Sequence, residues 1–450
     1  MKKEKLHLIP ITPVHISNNT ALQEGKDFYI DGMVLHRIDY PFLLSLIPDQ
    51  DFDSSLSQIK SSGIQALLSK ARQKEKKGKE IDQDWKQILK AKIEEIEKRE
   101  NQKTQQNSKE KTLLDHAEIY QCTLDFGYQN LYNKIQEIAL DSLGRSFISG
   151  STLKGMMRTA LYFSHLSQFP KALSRLRFTW TEDDKEADYP LFLEMTGMLQ
   201  KNSHQDFFQQ LRIQDSNLLP GSKSVKVYQI KLLNVCISQQ EKQVFWKKGL
   251  NQNTPFHEEA ESLCWEMIIP QTEFQTEIAL DKALQKILSK QNQKPAFALE
   301  IPTIMQSLKT FGISIAKKEW EFAQKYQISF LMDFYHDILE KAQKAIGGKE
   351  AYIPIGSGVP WHGKTIGNLL DSSSLDSIRR HFYKSMGKFV HTLCQSAFHG
   401  QNLRKEACPS CGKLLRPEKL FAITPYPKTR HIVFQDGKPC LPAGWIRIAI

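Results

Sequence analysis

The 450-residue chain has no apolar run near the roughly 18 residues a membrane-crossing helix requires. Its basic start, Met1 to His7, is not followed by an apolar core of signal-peptide length, because Thr12, Pro13 and His15 interrupt the pattern. A cytoplasmic protein is therefore expected. Cysteine is sparse and odd in number, seven in all, which argues against a disulfide framework. No Ser-His-Asp pattern and no paired carboxylate cluster can be read, and the Walker A spacing G-x-x-x-x-G-K-[ST] is missing. His15, His36 and His362 are the candidate acid-base groups. Isolated histidines more often pack or hydrogen-bond, so no catalytic residue is assigned. Acidic residues are outnumbered, with 50 Asp and Glu against 61 Lys and Arg, giving a net charge of +11. That excess favours an anionic partner, most often nucleic acid.

Apolar residues make up 40% of the chain, enough for folded cores, and the length predicts two domains with insertions. Leu6 to Ile16 reads as a buried strand. Phe28 to Leu35 reads as a hairpin, with Asp31-Gly32 supplying the positive φ angles of a tight turn. A short helix is predicted over Pro41 to Ile47, and strands over Ala117 to Phe126 and Lys134 to Leu140. Ser69 to Lys111 is rich in Lys, Glu and Gln, with Trp85, Ile88, Leu89, Ile93 and Ile96 at helical spacing, and predicts a helical insertion at about 69–112. Asp281 to Gln291 and Trp320 to Gly347 read as helices, and strands resume at Tyr352-Ile353 and over Phe421 to Val433. Interspersed helices and hairpins make the fold class α+β.

Two stretches have the chemistry of phosphate contacts. In the first, Phe147-Ile148 ends a strand and a helix opens behind Gly150 and Ser151. Helix amides at such a start point outward unsatisfied and attract anions, and Lys154 and Arg158, four residues apart, share one face. An ordinary capped helix fits the same residues. In the second, Gly356, Ser357, Gly358, Trp361 and Lys364 lie in a loop ahead of another predicted helix. Small residues allow close backbone approach, an indole can stack on a base, and a lysine can pair with a phosphate. A glycine-rich turn with Trp361 in the core is the alternative.

Cys408-Pro409-Ser410-Cys411-Gly412 has the form of a zinc knuckle. His391 and Cys394 have matching spacing and would complete a tetrahedral structural site, with His399 and Cys440 as alternative ligands. An unmetallated turn or a redox pair would also fit.

Taken together, these stretches resemble the RAMP proteins of CRISPR systems, and among them the fifth-subunit family of the type III-A (Csm) effector complex. Ile11-Thr12-Pro13-Val14-His15-Ile16 is similar to that family's Thr-Pro-x-His-Ile segment, although Asn18-Asn19 stand where small residues usually follow. Residues 148–158 resemble its Ile-Pro-Gly-Ser-Ser-Leu-Lys-Gly-x-x-Arg motif, with Ser149 for Pro and Thr152 for the second Ser. Leu211 to Ser216 resembles its Asp-Ser strand, and Gly356-Ser357-Gly358 with Lys364-Thr365 its glycine loop. Pro427-Lys428-Thr429-Arg430 and Gly444-Trp445 fit its closing pattern. Residues 235–345 match loosely, and neither the insertion nor the knuckle is carried over.

The resemblance implies two RRM-like (ferredoxin-like) halves, placed at 1–230 and 231–450. It also implies a non-catalytic, RNA-binding role for His15, Gly150, Ser151, Lys154, Arg158, Gly356, Ser357, Gly358, Trp361 and Lys364. The implied partners are the crRNA near its 3′ end, the backbone RAMP subunit, the small helical subunit and target RNA. A metal-independent endoribonuclease that processes repeat RNA is the alternative from the same superfamily.

Overall fold

The computed structural model describes residues 2–24, 27–31, 33–38, 118–124, 134–168, 207–238, 241–249, 253–281, 299–345, 349–371, 375, 388–390, 397–399 and 427–450. The expected insertion at 69–112, the helices at 41–47 and beyond Asp281, and the ligands His391, Cys394, Cys408 and Cys411 lie outside the described residues.

Two antiparallel-rich sheets organise the chain. In the first, five strands run in the order Glu350–Pro354, Trp445–Ala449, Lys2–Pro10, Phe274–Leu280, Leu211–Ile213. Along Lys2–Pro10, Leu6, Leu8 and Pro10 are buried while Lys5 and His7 are exposed, the period-two pattern of a strand with one face on a core. Register is set by pairs such as Leu6↔Thr276 and Leu8↔Ile448.

The second sheet has eight strands. Its spine is Val225–Ser238, which pairs with Leu263–Ile268, with Glu241–Lys247 and with Thr429–Gln435. Lys134–Ile138 adds to Leu263–Ile268 in parallel, and Ser17–Gln23 pairs antiparallel with Lys134–Ile138. Residue 230, the expected domain boundary, lies inside the spine strand. Both sheets combine strands from the beginning and the end of the chain, so closing either one brings distant motifs together.

Among the described residues, three helices longer than one turn pack on this framework: α1 (Gly150–Gln168), α2 (Ile301–Tyr326) and α3 (Ser329–Lys344). α2 buries a helical-period stripe of Ile304, Leu308, Phe311, Ile315 and Ala323. Trp320 to Gly347, expected as one helix, is two. α2 stops where Gln327 takes a left-handed conformation (φ 54), and α3 starts two residues later. The long strand expected over Leu6 to Ile16 also stops early, at Pro10. Residues 11–16 cross instead to the second sheet, where Val14 bridges Ile268. Pro13 has no N–H to give to a ladder, which suits it to this crossing. The hairpin of Phe28–Asp31 with Val34–Ile38 is present as expected. Mixed helices and antiparallel sheets make the fold α+β, and no helix among the described residues is long and apolar enough to cross a membrane.

Candidate RNA-binding site

Three loops far apart in sequence meet where the two sheets approach. The crossing segment 11–16, the glycine loop 355–365 and the turn at Gly444 are joined through their backbones. Gly444 N–H donates to Pro13 O at 2.8 Å, Ile355 N–H to Gly444 O at 2.6 Å, and Ser357 N–H to His15 O at 2.8 Å. Thr12 Oγ1 accepts from Trp445 N–H at 2.9 Å. Gly356 has a φ of 82°, and a Cβ there would lie 2.3 Å from His15 O. Only glycine permits both that conformation and that approach.

Side chains then gather on the loop. Lys364 Nζ donates to Ser357 O at 3.0 Å, which places its ammonium over the glycine turn. His15 is buried and its Nδ1 lies 2.7 Å from Glu266 O. A carbonyl can only accept, so Nδ1 has the proton and Nε2 has the lone pair. Burial lowers the His15 pKa, the bond to Glu266 O opposes that shift, and the Lys364 charge adds to it. His431, on Thr429–Gln435, has its imidazole beside the Gly358 backbone. Burial, then the charges of Lys364 and Lys247, brings its pKa down to about 4. Trp265 stands between the two imidazoles, with ring centroids 4.9 Å from His15 and 5.1 Å from His431. Both imidazoles are neutral near pH 7, and Lys364 is the cation beside them.

The far side of the glycine loop is clamped by a buried ion cluster. His362 Nε2 lies 2.6 Å from Glu319 Oε1, and Arg430 holds the same carboxylate through Nε at 2.6 Å and Nη2 at 2.8 Å. The Arg430 guanidinium also sits 4.0 Å from the centroid of the Phe322 ring. His362, a candidate acid-base group from the sequence, therefore anchors the loop to α2. His36 lies on the hairpin strand Val34–Ile38, in a different sheet. The Trp361 indole rests on Gly367, where a Cβ would meet its ring at 2.3 Å.

A second cluster surrounds the start of α1. Gly150 lies so close to Leu211–Ile213 that a Cβ would come within 2.4 Å of Ile213 O. Asp215 Oδ1 accepts the Gly150 N–H at 2.7 Å, and Ser216 Oγ accepts the Ile148 N–H at 2.9 Å. The Asp-Ser pair thus caps and docks the strand-to-helix turn, and one of the amides expected to face an anion is taken by Asp215. Ser151 is exposed and Lys154 partly exposed. The Arg158 guanidinium lies over the rings of Tyr162 and Phe208, 5.4 Å and 5.3 Å from their centroids.

Of the residues named from the sequence, His15, Gly356, Ser357, Gly358 and Lys364 come together in one place. Gly150, Ser151, Lys154 and Arg158 form the separate cluster on α1. Cys440, an alternative metal ligand, has its thiol on Gln435 Oε1 at 3.2 Å. Among the described residues, no group of three or more His, Cys, Asp or Glu side chains could hold a metal ion. Sequence reasoning missed His431, Trp265 and Glu319. His431 directly follows the Thr429-Arg430 motif, and Glu319 interrupts an otherwise apolar helical stripe, so both left a local signal.

No curated protein sequence matches the chain. Among solved structures, it is similar to a chain in the cryo-EM structure of a Csm-crRNA-target RNA ternary complex of a type III-A CRISPR-Cas system. That match has 18% identity and a TM-score of 0.58 and covers 99% of this chain and 100% of that one. It is also similar to Csm5 of T. onnurineus, with 16% identity, a TM-score of 0.50, and 98% and 99% of the two chains covered. These likenesses concern the fold. At the level of sequence, a family model described as the RAMP superfamily matches residues 7–359, most of the chain, and the protein therefore belongs to the RAMP superfamily.

Proposed function

We propose that this protein is a non-catalytic, RNA-binding subunit of a type III-A CRISPR effector ribonucleoprotein. It caps the backbone filament at the crRNA 3′ end and supports crRNA maturation and antiviral defence. Its partners are the crRNA, the backbone RAMP subunit, the small helical subunit and target RNA. The observation that carries this reading is the convergence of residues 11–16, Gly356 to Gly358 and Lys364 on one backbone-lined turn. Main-chain groups beside a lysine suit a sugar-phosphate strand, and the net charge of +11 supplies a long-range attraction. The likeness to a chain of a Csm-crRNA-target RNA complex supports the assembly. Lys154 and Arg158 on α1 extend the phosphate contacts. A structural zinc on His391, Cys394, Cys408 and Cys411 is part of the same proposal.

The non-catalytic reading is supported by His362, a candidate acid-base group whose Nε2 lies 2.6 Å from Glu319 Oε1 in the buried cluster that holds the loop. The test is co-purification from native extract with identification of bound RNA and protein chains. Guide RNA and sister Csm subunits are expected. In binding assays, Lys364→Ala, Lys154→Ala and Arg158→Ala should each flatten the salt dependence by about one unit of slope. Cleavage of repeat RNA by the purified chain, lost in His15→Ala, would overturn the non-catalytic reading.

A further inference from the structure

The second sheet has one face on the main core, through residues such as Leu233, Trp246 and Ile432. Its other face has a small separate cluster that includes Ile230, Trp265, Val433 and Ala443. The glycine loop lies on that cluster, since a Cβ at Gly358 would come within 2.5 Å of Ala443 and 3.5 Å of the Trp265 ring. Further along the spine strand the same face emerges from under the loop, and Leu232 and Asn234 are only half-buried. Asn234 pairs with Phe245 on one side and with Thr429 on the other. Thr429 Oγ1 donates to Asn234 Oδ1 at 2.7 Å, so this row of side chains shares the face. Lys247 stands two residues from Phe245, and His431 two residues from Thr429, which puts both on the same face. Phe245 and Lys247 are half-buried, and Phe245 belongs to neither apolar cluster of the described residues.

A phenylalanine ring outside the cores, next to a lysine and on a face continuous with the glycine loop, suits an unpaired base. Stacking needs one accessible ring and tolerates any base, whereas a protein partner needs a contiguous apolar patch. Phe245 with Leu232 beside it is a small apolar area, and Lys247 and Lys364 make its surroundings cationic. The charges of both lysines act on His431, which lies between Phe245 and the glycine loop. Strand spacing puts Phe245 about 12 Å from His431, close enough for one strand to span both. We propose that this sheet face is a base-stacking platform. Phe245 stacks on an unpaired base of the RNA whose backbone crosses the glycine loop, and Lys247 pairs with a phosphate next to that base. This inference rests on the RNA-binding reading above and adds to it a second contact surface and the two residues that form it.

The experiment measures binding of the full-length chain to a single-stranded RNA of mixed sequence and to an abasic strand of the same length, which keeps the riboses and phosphates. Wild type is expected to bind the intact RNA at least about tenfold more tightly, the scale of one stacked base. Phe245→Leu keeps apolar bulk and removes the π-face. It should weaken intact-RNA binding about tenfold and leave abasic binding within about twofold of wild type, while Phe245→Trp should retain the wild-type preference. Lys247→Ala should weaken both strands alike and reduce the salt slope by about one unit. Equal affinity of the wild-type chain for the two strands would overturn the stacking proposal while leaving phosphate binding intact, and that arm needs no variant to fold. Wild-type binding of intact RNA by a folded Phe245→Leu protein, or an equal loss on both strands, would also overturn it. An unchanged salt slope in Lys247→Ala would remove Lys247 from the platform. Failure to bind either strand would overturn the RNA-binding reading itself, and this inference with it.

Discussion

Glu319→Gln tests how the glycine loop is held. Glu319 is fully buried within the apolar stripe of α2 and faces both Arg430 and His362 at 2.6 Å. Glutamine keeps the size, removes the charge and turns an N–H₂ toward groups that are themselves donors. Removing one partner of a buried ion pair leaves the other uncompensated, at a cost of about 3–5 kcal/mol. Acid titration gives a second route to the magnitude. Burial alone would raise this carboxyl, but Arg430 and His362 overcome it and bring the pKa from 4.5 down to about 2. A depression of that size corresponds to about 3 kcal/mol of stability at neutral pH. Because the folded pKa is the lower one, this stabilisation is complete above pH 4.5 and is lost as the pH falls toward 2. The assay is urea unfolding followed by tryptophan fluorescence, at neutral pH and across the acid range, for wild type and Glu319→Gln. The variant should lose about 3–5 kcal/mol at neutral pH and show a flatter acid limb. A loss under about 1 kcal/mol, close to that of an ordinary hydrogen bond, with the acid limb unchanged, would refute the claim that this ion cluster holds the loop.

Gly356→Ala places a Cβ against His15 O at a φ of 82°. It should cost about 1–3 kcal/mol in thermal or urea unfolding and weaken RNA binding in the same preparation. Glu266 is fully buried, and burial, opposed by Arg37, Tyr120 and the Ile138 N–H, raises its pKa to about 7. A raised folded-state pKa means that its stabilising share is present below pH 4.5 and lost as pH rises through about 7. Melting temperatures across that range should therefore decline less in Glu266→Gln than in wild type. Elemental analysis should find about one zinc per chain, and Cys408→Ser combined with Cys411→Ser should abolish it.

The short motifs were legible because their chemistry is local. Gly150 next to Ser151 and ahead of an apolar helical period predicts a strand-to-helix turn from those residues alone. Gly356 and Gly358 beside Lys364 predict a backbone-lined loop in the same way. The helix boundary at Gln327 was not legible, because no proline or glycine marks it and the left-handed residue there is an ordinary glutamine. The extent of the first strand was also misread. Ile11, Val14 and Ile16 are as apolar as a strand requires, yet their backbone bonds go to Trp445, Ile268 and Ala139 across two sheets.

The sequence by itself determined the α+β class, the basic charge, the two glycine turns and the order of motifs that resembles RAMP proteins. These depend on residue type and spacing over a dozen positions or fewer, or on composition. Tertiary structure decided which motifs share a site. Long-range strand pairing joins Lys2–Pro10 to Trp445–Ala449, so that His15, Gly356, Lys364 and His431 become neighbours. It also decided their protonation, because an imidazole or carboxyl titrates according to its burial and the charges around it. Those charges come from other elements of the chain, such as Lys364 for His15 and Arg430 for Glu319.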